Sequence, residues 1–431
     1  MKKSHIRFTV RPQQPWHWLL VPAILLAGTV MARHIYPNGP AIFGAVLAVM
    51  LTGFVLDVLV YDGEKVKRRG PAAWLYGFLA GYPCELTTDQ IETISSYAEP
   101  GKRGGVVYRT IISGYGLRWE ILSRSRGYEA FIDQVFRAAG SNKLDPRSRQ
   151  LLAYWRKSGP ALQMRKNNGR EPVSLTPAMW REAANHLALD GQFDMAARYF
   201  CLALRREPRN AELLYEMGRF LQLRAMLEAE PAEIRRRRPR GMSPQESCAR
   251  RSQACFRLAG MRAGGNAALL ERIGESFFEV HDDQRAATYF SRALGLNEKR
   301  LRASIGQAEV AFRDGRLAHT IHYYNAAARV VENDADQSLA QLAQRRAEYY
   351  ELLRRDDKFL DDEIARLNLR DHLRMAQRGA LFISLAFWFC HVAFYDLAGS
   401  FQALTREIGA TAAVIWLSTT AATLLFTGRR P

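Results

Sequence analysis

The chain carries little with which to do covalent chemistry. Its 431 residues include only five cysteines (Cys84, Cys201, Cys248, Cys255 and Cys390), scattered and odd in number. That excludes a disulfide framework and points to a reducing compartment. Cys248 and Cys255 stand close together, but no second pair or neighbouring histidine completes a zinc set. His319 and His322 share one side of a helical stretch without a third ligand nearby. Gly101-Lys102-Arg103-Gly104-Gly105 lacks the hydroxyl residue that follows the lysine in a phosphate loop. G-x-S-x-G, H-E-x-x-H and G-x-G-x-x-G are absent as well. No enzyme activity, metal or cofactor is therefore expected.

Acidic residues are the minority charge: 43 Asp and Glu stand against 61 Lys and Arg, a net +18. Such an excess suits an anionic partner, phospholipid or nucleic acid, or a protein face held on the cytoplasmic side of a bilayer. A different absence marks residues 334 to 378, which contain neither proline nor glycine. They predict long helix with a break near Asp356-Asp357, and Arg366, Arg370, Arg374 and Arg378 give it a basic stripe.

What the chain does have is internal repetition. Starting at Pro177, Ala211, Ala267 and Leu301, the same positions carry the same kinds of residue, and the first two starts, like the last two, are 34 residues apart. Small residues (Ala184, Gly218, Gly274, Ala308) recur where one helix must approach another. An aromatic (Phe200, Phe256, Phe290, Tyr324) recurs near the middle of the second helix. Each unit predicts a helical hairpin that cannot bury its apolar face alone, so the units stack. The second unit departs, with about 22 extra residues before its second helix. Spacing and residue types together resemble the tetratricopeptide repeat family, over about a third of the chain. The proline that often closes such a unit is present only at Pro208.

The resemblance implies an α-solenoid whose inner surface is lined by the first helix of each unit and takes a protein or peptide partner. By position it points to Arg181, Asn185, Tyr215, Arg219, Gln222, Glu271, Glu275, Phe278, Arg302, Glu309 and Phe312. Some members of the family grip a terminal carboxylate; Arg181, Asn185 and Arg272 match three of those places, whereas Glu216 opposes such a ligand. The insertion, about 228–247, carries Arg235, Arg236, Arg237, Arg238 and Arg240 between Pro231 and the capping box of Ser243 with Glu246. This loop suits anionic lipid headgroups. Nucleic acid is disfavoured because no aromatics stand near it to stack bases.

Four apolar runs flank this centre. Trp16–Ala32 and Ala41–Val60 predict one transmembrane hairpin, and 380–397 with 409–427 predict another. Basic residues lie outside both hairpins (Lys2, Lys3, Arg7 and Arg11; Lys65, Lys67, Arg68 and Arg69; Arg429 and Arg430), which places both termini and the repeats in the cytoplasm. The expected order is a basic tail (1–15), a transmembrane hairpin (16–61), a juxtamembrane region (62–174), a four-repeat solenoid (175–334), a capping helix (335–378) and a second hairpin (379–428). The fold class is mainly α, with a small α or α+β juxtamembrane region. In that region Thr87 with Gln90 predicts a cap opening a helix to about Ala98. Val106–Ile112 and Leu117–Leu122 predict a β-hairpin, and Tyr128–Ala139 a helix. The functional expectation is a four-span scaffold of the inner membrane that positions a protein partner at the cytoplasmic face. The layout is similar to that of an accessory subunit of Pel-type exopolysaccharide export, and the alternative is a subunit of a transporter or channel.

Overall fold

The computed structural model describes residues 8–12, 51–53, 55–71, 84–101, 106–114, 117–155, 176–227, 243–330 and 334–393, with isolated positions at 44, 48, 73 and between 404 and 419. Seven strands come first: β1 (Phe8–Val10), β2 (Val58–Tyr61), β3 (Lys65–Arg69), β4 (Glu85–Thr87), β5 (Thr93–Pro100), β6 (Val106–Gly114) and β7 (Leu117–Leu122). They form two antiparallel sheets, β1-β2-β3-β4 and β5-β6-β7. In β7, Leu117, Trp119 and Ile121 turn inward while Arg118 and Glu120 turn out, the period of two that a half-buried strand requires. Helices α1 (Tyr128–Ala139) and α2 (Pro146–Trp155) follow, joined through a 3-10 turn at Ser141–Lys143. Phe131, Ile132, Val135 and Phe136 of α1 share one core with Val10, Leu59, Leu86, Ile94, Ile112 and Trp119, so both sheets and both helices make a single α+β unit.

Two expectations for this unit change. Thr87 and Gln90 do bond each other, Gln90 Oε1 accepting from Thr87 N at 3.0 Å, but they close a turn between β4 and β5 and no helix follows. The buried side chains Ile94 and Ser96 alternate with more accessible neighbours, and that pattern extends the chain. Gly114 ends β6 where a Cβ would lie 2.1 Å from the Gln90 carbonyl oxygen, so this close approach needs glycine.

The larger correction concerns the membrane. Among the described residues no helix is long and apolar enough to cross a bilayer. The transmembrane hairpins, the four-span membrane association and the multi-pass inner-membrane location are therefore unsupported. The reasons are local. Val58–Tyr61, read as the end of a spanning helix, is strand β2, paired on one side with β1 and on the other with β3. Lys65–Arg69, read as a basic membrane flank, is β3. Asp57 is fully buried and receives Arg68 Nε at 2.9 Å and Nη2 at 2.6 Å, so both charges of the supposed boundary satisfy each other. Farther on, the last helix is charged for most of its length. Its described apolar portion begins only after Arg378, so charged residues fill most of the helix as described. The run Trp16–Ala32 and most of 409–427 lie outside the described residues, as do Arg235–Arg238 and Arg240.

From residue 177 the chain is helical: α3 (Pro177–Leu189) with α4 (Phe193–Arg206), α5 (Ala211–Leu227) with α6 (Pro244–Arg262), α7 (Ala267–Glu279) with α8 (Asp283–Leu296), and α9 (Leu301–Arg313) with α10 (Leu317–Ala328). Each pair is a hairpin, and the first helices also pack on one another in sequence. Part of the extra length in the second hairpin goes into its helices: α5 has 17 residues against 13 in α3, α7 and α9. The Ser243–Glu246 capping box opens α6.

The small residues sit under the aromatics. A Cβ on Gly274 would fall 2.7 Å from the Phe290 ring, and one on Gly218 2.6 Å from Phe256. Gly306, from the next hairpin, meets the other edge of Phe290. The hairpin turn needs a left-handed residue. Gly191 (φ 82°) and Gly315 (φ 71°) supply it in the first and fourth units, but the third uses His281 (φ 60°). The array ends in α11 (Asp334–Arg355), which packs on α10, and α12 (Asp357–Ala393), with the break at Asp356.

Candidate functional site

The sequence nominated the face made by the first helices, α3, α5, α7 and α9. Glutamates and arginines share it with amides and aromatics, the opposite side of each helix being committed to the hairpin core. The face is not open. The α+β unit sits against it, led by α2. Arg149 of α2 donates to Glu275 of α7, which also receives Arg302 Nε of α9 at 2.6 Å. Arg302 continues to the Asn142 carbonyl in the 3-10 turn. At the edges of the contact, Tyr108 Oη donates to the Leu189 carbonyl at 3.1 Å, and Arg345 of α11 donates to Glu92 at 2.7 Å.

The electrostatics follow from this arrangement. Burial alone would raise the Glu275 carboxyl, but the Arg149 and Arg302 guanidinia outweigh it and hold the group below the ordinary glutamate value. Arg219, 1 % exposed, loses solvation, yet the Glu279 carboxylate it bonds more than compensates and raises its pKa. Gln222 braces that pair, accepting from Arg219 Nη1 at 2.9 Å and donating to Glu279 at 3.2 Å. Asp145, at the start of α2, accepts from Ser148 N at 2.7 Å. Burial, then the nearby Glu279 charge, push its pKa up to about 6.

The nominated residues divide into three groups. Arg219, Gln222, Glu271, Glu275 and Arg302 lie within or beside this buried network, Glu271 being held by Arg300 at 2.8 and 3.0 Å. Phe278, Glu309 and Phe312 lie apart from it. Phe278 faces the Arg313 guanidinium at 3.6 Å, Glu309 accepts from Tyr324 Oη at 2.8 Å, and Phe312 packs on Tyr350 of α11 at 5.0 Å between centroids. Arg181, Asn185 and Tyr215 come together in a third place, a cleft of about 180 Å³ between α2 and helices α3, α5 and α7.

That cleft brings convergent polar groups of the nominated face to a place solvent can reach. Arg149, Gln150 and Ala153 form its α2 wall, and Arg181, Asn185, Tyr215, Glu216 and Arg272 the opposite one. The Arg272 guanidinium lies 5.0 Å from the Tyr215 ring centre and bonds Glu212. Glu216 accepts from Asn185 Nδ2 at 2.6 Å, with Arg181 Nε 3.6 Å away, and burial raises its pKa. Three guanidinium groups, the Asn185 and Gln150 amides and the Tyr215 ring thus surround the Glu216 carboxyl, with Glu182 also on the lining. Sequence reasoning missed the α2 wall. Arg149 reaches a glutamate 126 residues farther along the chain, and no local signal announces that pairing.

Among the described residues no group of three or more His, Cys, Asp or Glu side chains could hold a metal ion. No protein family matches the sequence, and no curated protein matches it.

Proposed function

We propose that the chain is a tetratricopeptide-like adaptor that holds a short segment of a partner protein in the cleft between α2 and the first-helix face. The observation that carries this reading is the convergence of Arg149, Arg181, Arg272, Asn185 and Tyr215 on one open cleft next to a face otherwise filled by the chain itself. The hairpin spacing of 34 residues and the pairing of Gly218 and Gly274 with Phe256 and Phe290 support the repeat class. The chemistry favours a peptide. Guanidinium forks and an amide bond carbonyl and carboxylate oxygens, and the Tyr215 edge gives an apolar surface for one side chain.

A peptide-display selection on the full chain tests this, followed by affinity measurement of the selected peptides. The double variant Arg181→Ala and Arg272→Ala should weaken them at least tenfold, and Phe312→Ala, remote from the cleft, should leave them unchanged. Selected peptides that bind the double variant as tightly as the natural chain would overturn the reading.

A further inference from the structure

Besides Glu182 and Glu212 at the cleft, five glutamates lie along the first helices: Glu216 on α5, Glu271, Glu275 and Glu279 on α7, and Glu309 on α9. Each is met by an arginine. Four are served from the helical array and its end helix alone: Glu216 by Arg181, Glu271 by Arg300, Glu279 by Arg219 and Glu309 by Arg346. Glu275 is different. It takes Arg302 from the array and Arg149 from α2, the only one of these guanidinia contributed by the α+β unit. Arg149 is mostly buried, and Arg147, one turn-edge away on the same helix, is almost wholly so.

The α+β unit is therefore seated as a ligand would be, with cations on α2, carboxylates on the array and one backbone carbonyl, that of Asn142, offered to Arg302. The charged and carbonyl bonds that join the two parts are accompanied by a small apolar contact, Leu189 against the α+β core and Ala98 against the first hairpin. Contacts of this largely polar kind between parts of one chain are the ones that open. We propose that the face of α5, α7 and α9 around Glu275 is a recognition surface for an arginine-bearing helix. In this scheme α2 is its resident occupant, and a partner helix of the same chemistry replaces it when the α+β unit swings away. Glu275, the carboxylate of the face that takes a second guanidinium, is what selects a basic partner. This surface shares Arg149 with the cleft, which exists only while α2 is seated. The Arg181→Ala and Arg272→Ala chain tests the cleft, and titration with an α2 peptide, which leaves those two residues in place, tests this surface.

The probe is a labelled synthetic peptide of residues 141–155, titrated into the full chain and followed by fluorescence anisotropy. The natural chain should bind it weakly, because the site is filled. Arg149→Ala in the chain removes the resident guanidinium and should tighten binding at least tenfold. The double variant Tyr108→Phe and Glu92→Gln, which loosens the seat away from Glu275 and guards against misfolding of the first variant, should tighten it about threefold. Hydrogen exchange in α2 and α7 should rise together in both. A peptide with glutamate in place of Arg149 should not bind any of these chains. The proposal is overturned if neither variant binds the peptide more tightly than the natural chain, or if the charge-reversed peptide binds equally well.

Discussion

In the α+β unit, Val10, Leu59, Leu86 and Phe131 share one core although the chain runs more than a hundred residues from the first to the last. In the helical array, Phe290 packs between Gly274 of its own hairpin and Gly306 of the next, within a cluster that runs from Leu214 to Val310. The array divides its apolar residues among clusters that follow the chain order, whereas the α+β unit gathers most of its own into one. A core drawn from distant segments forms or fails as a whole. A stack of neighbours fails piece by piece, because each hairpin depends only on the next.

Removing one large ring from each region would break this comparison most directly. Phe131→Ala and Phe290→Ala should each cost about 3–5 kcal/mol, both rings being fully buried. Their consequences should differ in hydrogen exchange. Phe131→Ala should expose β1 through α2 together, and Phe290→Ala only α7 to α9. Equal spread in both variants would mean the array is one cooperative core.

The seam between the regions comes next. Glu275→Ala leaves Arg149 and Arg302 without their shared carboxylate, and stranding buried charge costs about 3 kcal/mol. Urea denaturation measures the total, and Glu275→Gln should recover part of it by keeping hydrogen-bond acceptors. A loss confined to the array, with the α+β unit unaffected, would show that the seam does not couple them.

Asp145 gives the seam a pH signature. Its carboxyl titrates at about 6 when folded, above the ordinary 3.8, so the folded chain holds this proton more tightly than the unfolded one. The proton's contribution is fully present below about pH 4 and is lost as pH rises through about 6. Asp145→Asn can still accept from Ser148 N but has no charge to bury. It should match the natural chain below pH 4 and exceed it by up to about 3 kcal/mol at pH 7. A constant difference across that range would refute the assignment.

The smallest effect sharpens the likeness among hairpins. His281 occupies the left-handed turn position that Gly191 and Gly315 fill elsewhere. His281→Gly should stabilise the chain by about 1 kcal/mol, measurable as a rise in Tm, because a side chain is strained in that conformation.

The same contrast explains what was legible in the sequence. The hairpins could be read because their signal is local: small residue, aromatic, turn and spacing recur within each unit. Tyr128–Ala139 and the β6–β7 hairpin were legible for the same reason, and both lie where expected. β1 and β2 were hidden. They have three and four residues, and Val58–Tyr61 ends an apolar run whose composition alone suits a membrane helix. Only the pairing Phe8↔Tyr61 and Val10↔Leu59 distinguishes the two, and pairing across that distance leaves no periodic mark. The candidate site was legible by halves. Position in the repeat placed Arg181, Asn185 and Tyr215 on one face, but nothing local told that α2 would cover the remainder.

The β1–β2 register also bears on how the protein is made. Phe8–Val10 leaves the ribosome long before its partner strand, because about 50 residues separate Phe8 from Val58. At roughly 5–20 residues per second, β1 waits about 3–10 s before β2 is even synthesised, and longer before α1 can cover the sheet. During that interval the first strand is an unpaired edge, open to any extended segment nearby. β1 is thus made early but is secured only when β2, and then α1, have followed it.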